Sequence, residues 1–285
     1  MRVLVLGVTG MLGSAVFRTF DADPAIETWG TMRSERGKAH FSVASHQRLL
    51  GNIDVLDHDT LCAALARVRP DVVINCIGLI KQLADANNPL AVLPINAMLP
   101  HRLANLCGLM GSRLVHVSTD CVFSGRKGRY VESDVSDAED LYGKSKYIGE
   151  VHDLAHVATL RTSIIGHELS SNHALIDWFL SQSGSVKGFE RAIFSGLPTV
   201  ELARVMKDFL LSNPALHGLY HVAAAPISKL ELLRLVAKQY EKDIEIVPER
   251  DFVIDRSLDG SRFSAATGYT APLWPELVAQ MHANR

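Results

Sequence analysis

From Val3 to Leu6 the chain is uninterruptedly apolar and β-type, and the run stops on Gly7, the first of three glycines at Gly7, Gly10 and Gly13. Helical spacing of apolar residues takes over from Met11 to Phe20. A strand that is apolar on both faces must be covered on both sides, as strands of a parallel α/β sheet are. Passing from it into a helix within a few residues demands a tight reversal, which glycine permits. Such a turn also exposes backbone N–H groups at a helix N-terminus, where the dipole favours an anion. The spacing is GxxGxxG, so the turn is read either as a pyrophosphate cradle or as a plain strand-to-helix connection.

The next segments repeat the alternation. A second apolar stretch, Ile26 to Met32, runs into Arg33, Ser34 and Arg36. In a βαβ nucleotide fold the residue ending this strand faces the adenosine ribose, where an acid suits the 2′-hydroxyl of NAD and an arginine the 2′-phosphate of NADP. Arg33 therefore favours NADPH, with NADH as the other possibility and a solvated basic loop as the bland alternative. Residues 35 to 48 carry no clear pattern. Gly51 to Asp57 reads as a short strand ending in acids, with Asp54 placed where an adenine amino group would be recognised, and His58 to Val68 returns to helical periodicity. Pro70 to Gly78 is a further buried strand, followed by a helical region from Pro89 to Gly111. Asn96 lies inside that helix on an apolar surface, where it either organises a site or caps local backbone.

The strand Arg113 to Val117 delivers Ser118, Thr119 and Asp120 at its carboxyl end, the edge where open parallel sheets bind ligands. Tyr142 and Lys146 follow at a spacing of four, which places them on one helical face. An ammonium beside a phenol favours the phenolate and draws its pKa down from about 10. By itself that spacing also fits an ordinary solvent face. Beyond Gly166 the rhythm breaks into helices around 174–180, 201–211 and 228–241, with strands at 218–222 and 244–247. The chain thus reads as a doubly wound α/β parallel sheet of the Rossmann type over residues 1–165. Residues 166–285 form a small α/β cap that completes a substrate pocket and is partly interleaved with the first unit.

Composition narrows the function classes. Over 285 residues, 47% are hydrophobic and 21% charged, enough apolar material for a sizeable core. A formal net charge of -2 without a basic block argues against nucleic-acid binding or membrane-surface binding, so an anionic ligand must be met by local groups. No apolar run approaches the roughly 20 residues that span a bilayer, and the expected location is cytoplasmic. The scattered Cys62, Cys76, Cys107 and Cys121 fit a reducing compartment, and the histidines show no metal-type spacing.

Taken together, GVTGMLG at 7–13, RPDVVINC at 69–76, VHVSTDCVFSG at 115–125, YGKSKYIGE at 142–150 and LRTSIIG at 160–166 resemble the extended short-chain dehydrogenase/reductases. The helix start Thr199-x-x-Leu202-Ala203 agrees, and within that superfamily the chain is most similar to the dTDP-4-dehydrorhamnose reductase branch. The resemblance covers nearly the whole chain. It implies an NADPH-dependent reduction of a nucleotide-linked 4-keto-6-deoxy sugar, with Tyr142 as general acid, Lys146 holding the nicotinamide ribose and Thr119 bonding the carbonyl oxygen. It further implies that Gly7, Thr9, Gly10, Met11, Leu12 and Gly13 meet the pyrophosphate, Arg33 and Ser34 the adenosine phosphate, and Asp54 and Val55 the adenine. Cys76, Ile77 and Gly78, with Asn96 and Ser118 nearby, would meet the nearer ribose. Lys81, Thr119, Asp120, Ile164, Arg191 and Arg256 would line the substrate side, and Arg161 is a further cation to watch there. Dimerisation through helices flanking the sheet is common in the superfamily, so a homodimer is an open expectation.

Two departures keep alternatives open. Cys121 stands where rhamnose-type reductases usually carry Tyr and where dehydratase relatives carry Glu, which disfavours a dehydratase. In the GDP-fucose synthase branch a cysteine near this position epimerises the sugar with a downstream histidine, and His173 falls near where that histidine would be. Cys121 is thus either a base or a small buried filler, and His173 either its partner or a surface cap. A third reading is a non-catalytic NADP-binding regulatory subunit, since one relative of this branch is the β subunit of methionine adenosyltransferase.

Overall fold

The computed structural model describes residues 1–81 and 84–285. The first strand, β1 (Arg2–Leu6), is followed by helix α1 (Met11–Asp21) and then by β2 (Glu27–Thr31), β3 (Leu49–Leu50), helix α2 (His58–Val68), β4 (Val72–Asn75), β5 (Arg113–Thr119) and β6 (Val157–Thr162). These strands and Gly218–His221 make a seven-stranded sheet in the spatial order Gly218–His221, β6, β5, β4, β1, β2, β3. Every pairing in it is parallel. Strand order reverses between β1 and β4, and ligands bind at such a switch point beyond the carboxyl ends of the strands. Leu6 is in register with Asn75, which places the Gly7 turn beside the loop that starts at Cys76.

Residues that satisfied the two-faced pattern are the ones buried. Val3, Val5, Val72 and Ile74 face a core shared with Val16, Phe17 and Phe20 of α1, and Leu4, Leu6 and Val73 face a second core with Leu61 and Leu65 of α2. The first core continues into Leu202, Val205 and Met206, and into Leu277 and Val278 of the last helix. Residues from both ends of the chain therefore fill one interior, and the late strand Gly218–His221 closes the sheet against β6.

Some local expectations shift. The strand expected at Gly51–Asp57 forms two residues earlier, at Leu49–Leu50. Asn52 adopts a left-handed φ of 57°, and Asp57 caps α2 by accepting from Asp59 and Thr60, so this segment is a turn and a cap. The patternless stretch 35–48 holds two 3-10 helices, Glu35–His40 and Val43–Arg48. The helical region after Pro89 contains a π-helical turn, Leu93–Met98, between Pro89–Val92 and Leu99–Met110. Helices Ser261–Thr267 and Trp274–Ala283 close the C-terminal side. Its small sheets pair Ser185–Phe189 with Glu245–Glu249, and Ala192–Phe194 with both Ile227–Ser228 and Ile254–Asp255.

Candidate active site

The glycine turn is built as its spacing requires. Gly7 has φ +81°, and its N–H and that of Val8 donate to Thr31 O at 3.2 and 3.0 Å. A Cβ on Gly13 would lie 2.1 Å from Gly7 O, so α1 can approach β1 this closely only with glycine there. Gly10 is the N-cap of α1, and no side chain caps it. The first-turn N–H groups that follow, from Met11 and Leu12 onward, have no intrahelical acceptors, and no acidic residue occupies that turn. A pyrophosphate fits this cradle by charge and by backbone donors. Thr9 is exposed and touches the loop at Gly37.

Along the rest of the expected cofactor line, Arg33 and Ser34 are exposed at the end of β2, and Ser34 caps the next 3-10 helix through Arg36 N. Asp54 is exposed and accepts from Leu56 N at 3.0 Å, while Val55 is buried. Ile77 packs on Gly7. Burial pushes the Cys76 thiol up to about 12, so it is a neutral lining group. Asn96 is 1% exposed and fully employed: its Oδ1 accepts from Leu79 N at 2.8 Å, and its Nδ2 donates to Leu79 O and to Ser145 Oγ. Those bonds hold the backbone of the loop after β4 and clamp it to the helix that carries Tyr142. The clamp leaves Gly78 open to the site: a Cβ there would lie 3.9 Å from Lys146 Nζ.

That helix, Leu141–Ile148, starts at Asp140, whose carboxylate accepts from Gly143 N at 2.7 Å. Two glycines let it sit deep. A Cβ on Gly143 would lie 2.2 Å from Cys121 O, and one on Gly149 would lie 2.0 Å from Asn96 O. Lys146 is 5% exposed and donates to Val117 O at 2.7 Å. Burial lowers its pKa to about 8, against the opposing pull of Glu150. Thr119 Oγ1 donates to Asp120 Oδ1 and accepts from Cys121 N, both at 3.1 Å.

The Tyr142 phenol is held above its ordinary range, opposite to the expectation from the Tyr-Lys spacing. Burial is the largest cause, Cys121 and Asp120 add to it, and the nearby Thr119 hydroxyl opposes them. Lys146 meanwhile spends its ammonium on Val117 O, and the cation over the Tyr142 ring is Lys81, with Nζ 5.3 Å from the centroid. Lys81 is fixed there by Asp140 at 2.6 Å.

On the side expected to face substrate, Asp120 lies within electrostatic range of Arg256, and Cys121 within that of Asp120, Lys81 and Arg256. Burial raises the Asp120 carboxyl, countered by Arg256, Thr119, Cys121 and Lys229. Arg256 donates through Nε to Phe123 O at 2.7 Å. Lys229 is a cation that sequence reading missed. It opens the helix Lys229–Gln239, its Nζ lies 4.7 Å from the Phe194 ring centroid, and burial lowers its pKa against Asp120 and Cys121. Nothing local in the sequence marks it, because the acid and thiol it faces, Asp120 and Cys121, lie more than a hundred residues earlier. Ile164 is half-buried beside Leu197. Arg191 is exposed at the foot of Ala192–Phe194. Arg161 proves to be interior, 2% exposed and paired with Glu150, so its expected place among the substrate cations is corrected. Burial, with Asp120 beside it, pushes the Cys121 thiol up to about 11, which makes it a poor base near neutral pH. His173 is exposed in the loop before the helix Leu175–Ser181. Among the described residues no cluster of His, Cys, Asp or Glu has metal-binding geometry, and no helix is long and apolar enough to cross a membrane.

Comparison with known proteins agrees with this architecture. The chain superposes on dTDP-4-dehydrorhamnose reductase of Bacillus anthracis str. Ames in complex with NADP, with TM-score 0.81 and 19% identity over 100% of this chain and 99% of that one. It superposes on Bordetella bronchiseptica WbmG in complex with NAD and UDP with TM-score 0.80 and 20% identity, over 99% and 94%. By sequence it is 28% identical over 251 residues to methionine adenosyltransferase 2 subunit beta of Danio rerio, covering 84% of this chain and 74% of that protein. A dTDP-4-dehydrorhamnose reductase of Streptomyces griseus is 30% identical over 150 residues, 52% of this chain and 43% of that one. The profile of the RmlD substrate binding domain matches residues 1–281, and with the parallel sheet, glycine turn and Tyr-Lys helix in place, the chain belongs to that family.

Proposed function

We propose that this protein is an NADPH-dependent reductase of a nucleotide-linked 4-keto-6-deoxy sugar, with NADH as a weaker substitute. The observation that carries the reading is the Tyr142 phenol. It stands half-buried on the helix Leu141–Ile148, one turn before Lys146 and packed beside the Asp120–Val122 turn at the carboxyl edge of the sheet, and as a neutral phenol it carries the proton required of a donor to a ketone. A nicotinamide bound beside Tyr142 and Lys146 would supply the hydride. Tyr142 gives its proton to the ketone oxygen as it becomes an alkoxide, and the Thr119 hydroxyl turns from Asp120 to the same oxygen. Lys146 holds the nicotinamide ribose with the charge that it keeps below about pH 8. Residues 166–285 cap the pocket, where Lys81, Arg256, Arg191 and Lys229 face the anionic part of the substrate. The same reading includes a homodimer through the helices flanking the sheet, where Met98, Tyr147 and Ile148 are exposed.

The test is loss of the NADPH absorbance band on adding nucleotide-linked 4-keto-6-deoxy sugars in deuterated water. Turnover without deuterium on carbons next to the ketone is expected, because Cys121 is a protonated thiol. Deuterium uptake that Cys121→Ser abolishes would instead establish the epimerase/reductase alternative with His173. Two further outcomes follow. Reduction declines as pH rises through about 8, because Lys146 loses its proton there. Arg33→Asp raises the KM for NADPH by about tenfold or more and lowers that for NADH, since an aspartate repels a 2′-phosphate and accepts a 2′-hydroxyl; initial rates with the two cofactors check this.

The match to methionine adenosyltransferase 2 subunit beta over most of the chain favours a second reading, a regulatory subunit that binds NADP without turnover. Under it, NADPH binds, no ketone is reduced and the chain co-elutes with a methionine adenosyltransferase catalytic subunit.

A further inference from the structure

Behind the site lies a buried ionic cluster that the reaction as described does not use. Glu150 and Arg161 have side chains 1% and 3% exposed. Arg161 Nη2 and Nε donate to the two Glu150 carboxylate oxygens at 2.6 and 2.7 Å. Ser118 Oγ donates to Glu150 Oε1 at 2.7 Å. The guanidinium lies 5.1 Å from the Phe123 ring centroid and 3.3 Å from His221 Nε2, on the strand that closes the sheet. One carboxylate therefore joins the end of the Tyr142 helix, the end of β5, β6 and the late strand.

A buried ion pair is a weak source of stability, because desolvation offsets the attraction. What this one fixes is geometry. Strand side chains alternate in direction. Drawing Ser118 toward Glu150 turns Thr119 to the opposite face, toward Tyr142, and sets Val117 O where it accepts from Lys146. Glu150 also follows Lys146 by one helical turn, and its N–H donates to Tyr147 O at 3.1 Å. We propose that Glu150, locked by Arg161, is a positioning residue: it sets the end of β5 through Ser118 and supplies the counter-charge that keeps the Lys146 ammonium protonated. The other titratable groups facing this region are Cys76 from the loop after β4, His116 on β5, His101 on the helix Leu99–Met110, Asp120 and Cys121 after β5, and Tyr142 itself. Burial holds His116 and Cys76 neutral, so neither supplies the charge in place of Glu150.

The inference rests on the reductase reading for its effect on turnover, so its primary readout is independent of activity. In protein labelled with 15N-lysine, the Lys146 Nζ resonance is titrated in the parent, in Glu150→Gln and in Arg161→Met. Glu150→Gln keeps the shape and an acceptor for Ser118 but removes the charge, and the Lys146 titration should fall by about one unit. Arg161→Met strips the buried carboxylate of its partner and so favours the protonated acid, and the Lys146 titration should again fall. Unfolding by denaturant accompanies both. Equal losses of stability with an unmoved Lys146 titration in both variants would mean a merely structural pair and overturn the proposal. If the Lys146 titration moves as expected while no sugar is reduced, the positioning role stands and the reductase reading fails. Where both hold, the alkaline limb of the reduction rate in Glu150→Gln moves to lower pH in step with Lys146.

Discussion

Tyr142→Phe is expected to lower kcat for ketone reduction by about two to four powers of ten while leaving NADPH binding and the melting temperature close to those of the parent. The variant removes one hydroxyl and keeps the ring under Lys81, which lies 5.3 Å from the centroid. Among the described residues the phenol anchors no structural element, and the helix is held by Asn96, Asp140 and its two glycines instead. Loss confined to kcat would mean that the proton is needed only in the transition state. Single-turnover rates with saturating NADPH, beside cofactor titrations by fluorescence, measure the two separately. A variant as fast as the parent would remove Tyr142 from the chemistry and with it the central assignment of the site.

Gly143→Ala is expected to damage folding and turnover together. Its new methyl would lie 2.2 Å from Cys121 O and 2.8 Å from the Ala138 side chain, and the carbonyl is backbone that cannot rotate away. Relief requires the helix Leu141–Ile148 to move off the Asp120–Val122 turn, which separates Tyr142 from Thr119. Overpacking of this kind typically costs about 1–3 kcal/mol, and a displacement of the donor from the acceptor it serves reduces rate further. Denaturant midpoints and kcat should both fall, in contrast to Tyr142→Phe. An unchanged midpoint would show that the helix has freedom the close contact denies it.

The two variants separate features of different origin. Tyr142 and Lys146 were legible because their relation is local: four residues on a helix share a face, whatever surrounds them. The glycines at 7, 10 and 13 were legible for the same reason, since a tight strand-to-helix reversal is encoded within one segment. Asp57 as a cap instead of the end of a strand was missed because acids after an apolar run suit both roles, and the pairing of Leu49–Leu50 with Gly30–Thr31 decides between them.

By itself, then, the sequence determined the alternation of strands and helices, the glycine-rich first turn and the helical face bearing Tyr142 and Lys146. Each follows from periodicity or steric demand over a few residues. Tertiary structure alone decided that Gly218–His221 returns to the sheet, that Arg161 is buried on Glu150, and that Lys229 reaches toward Asp120. It also decided the direction of the Tyr142 shift. Burial and charge are sums over neighbours brought from distant parts of the chain, so a lysine one turn away could not fix the pKa of a phenol whose desolvation outweighs it.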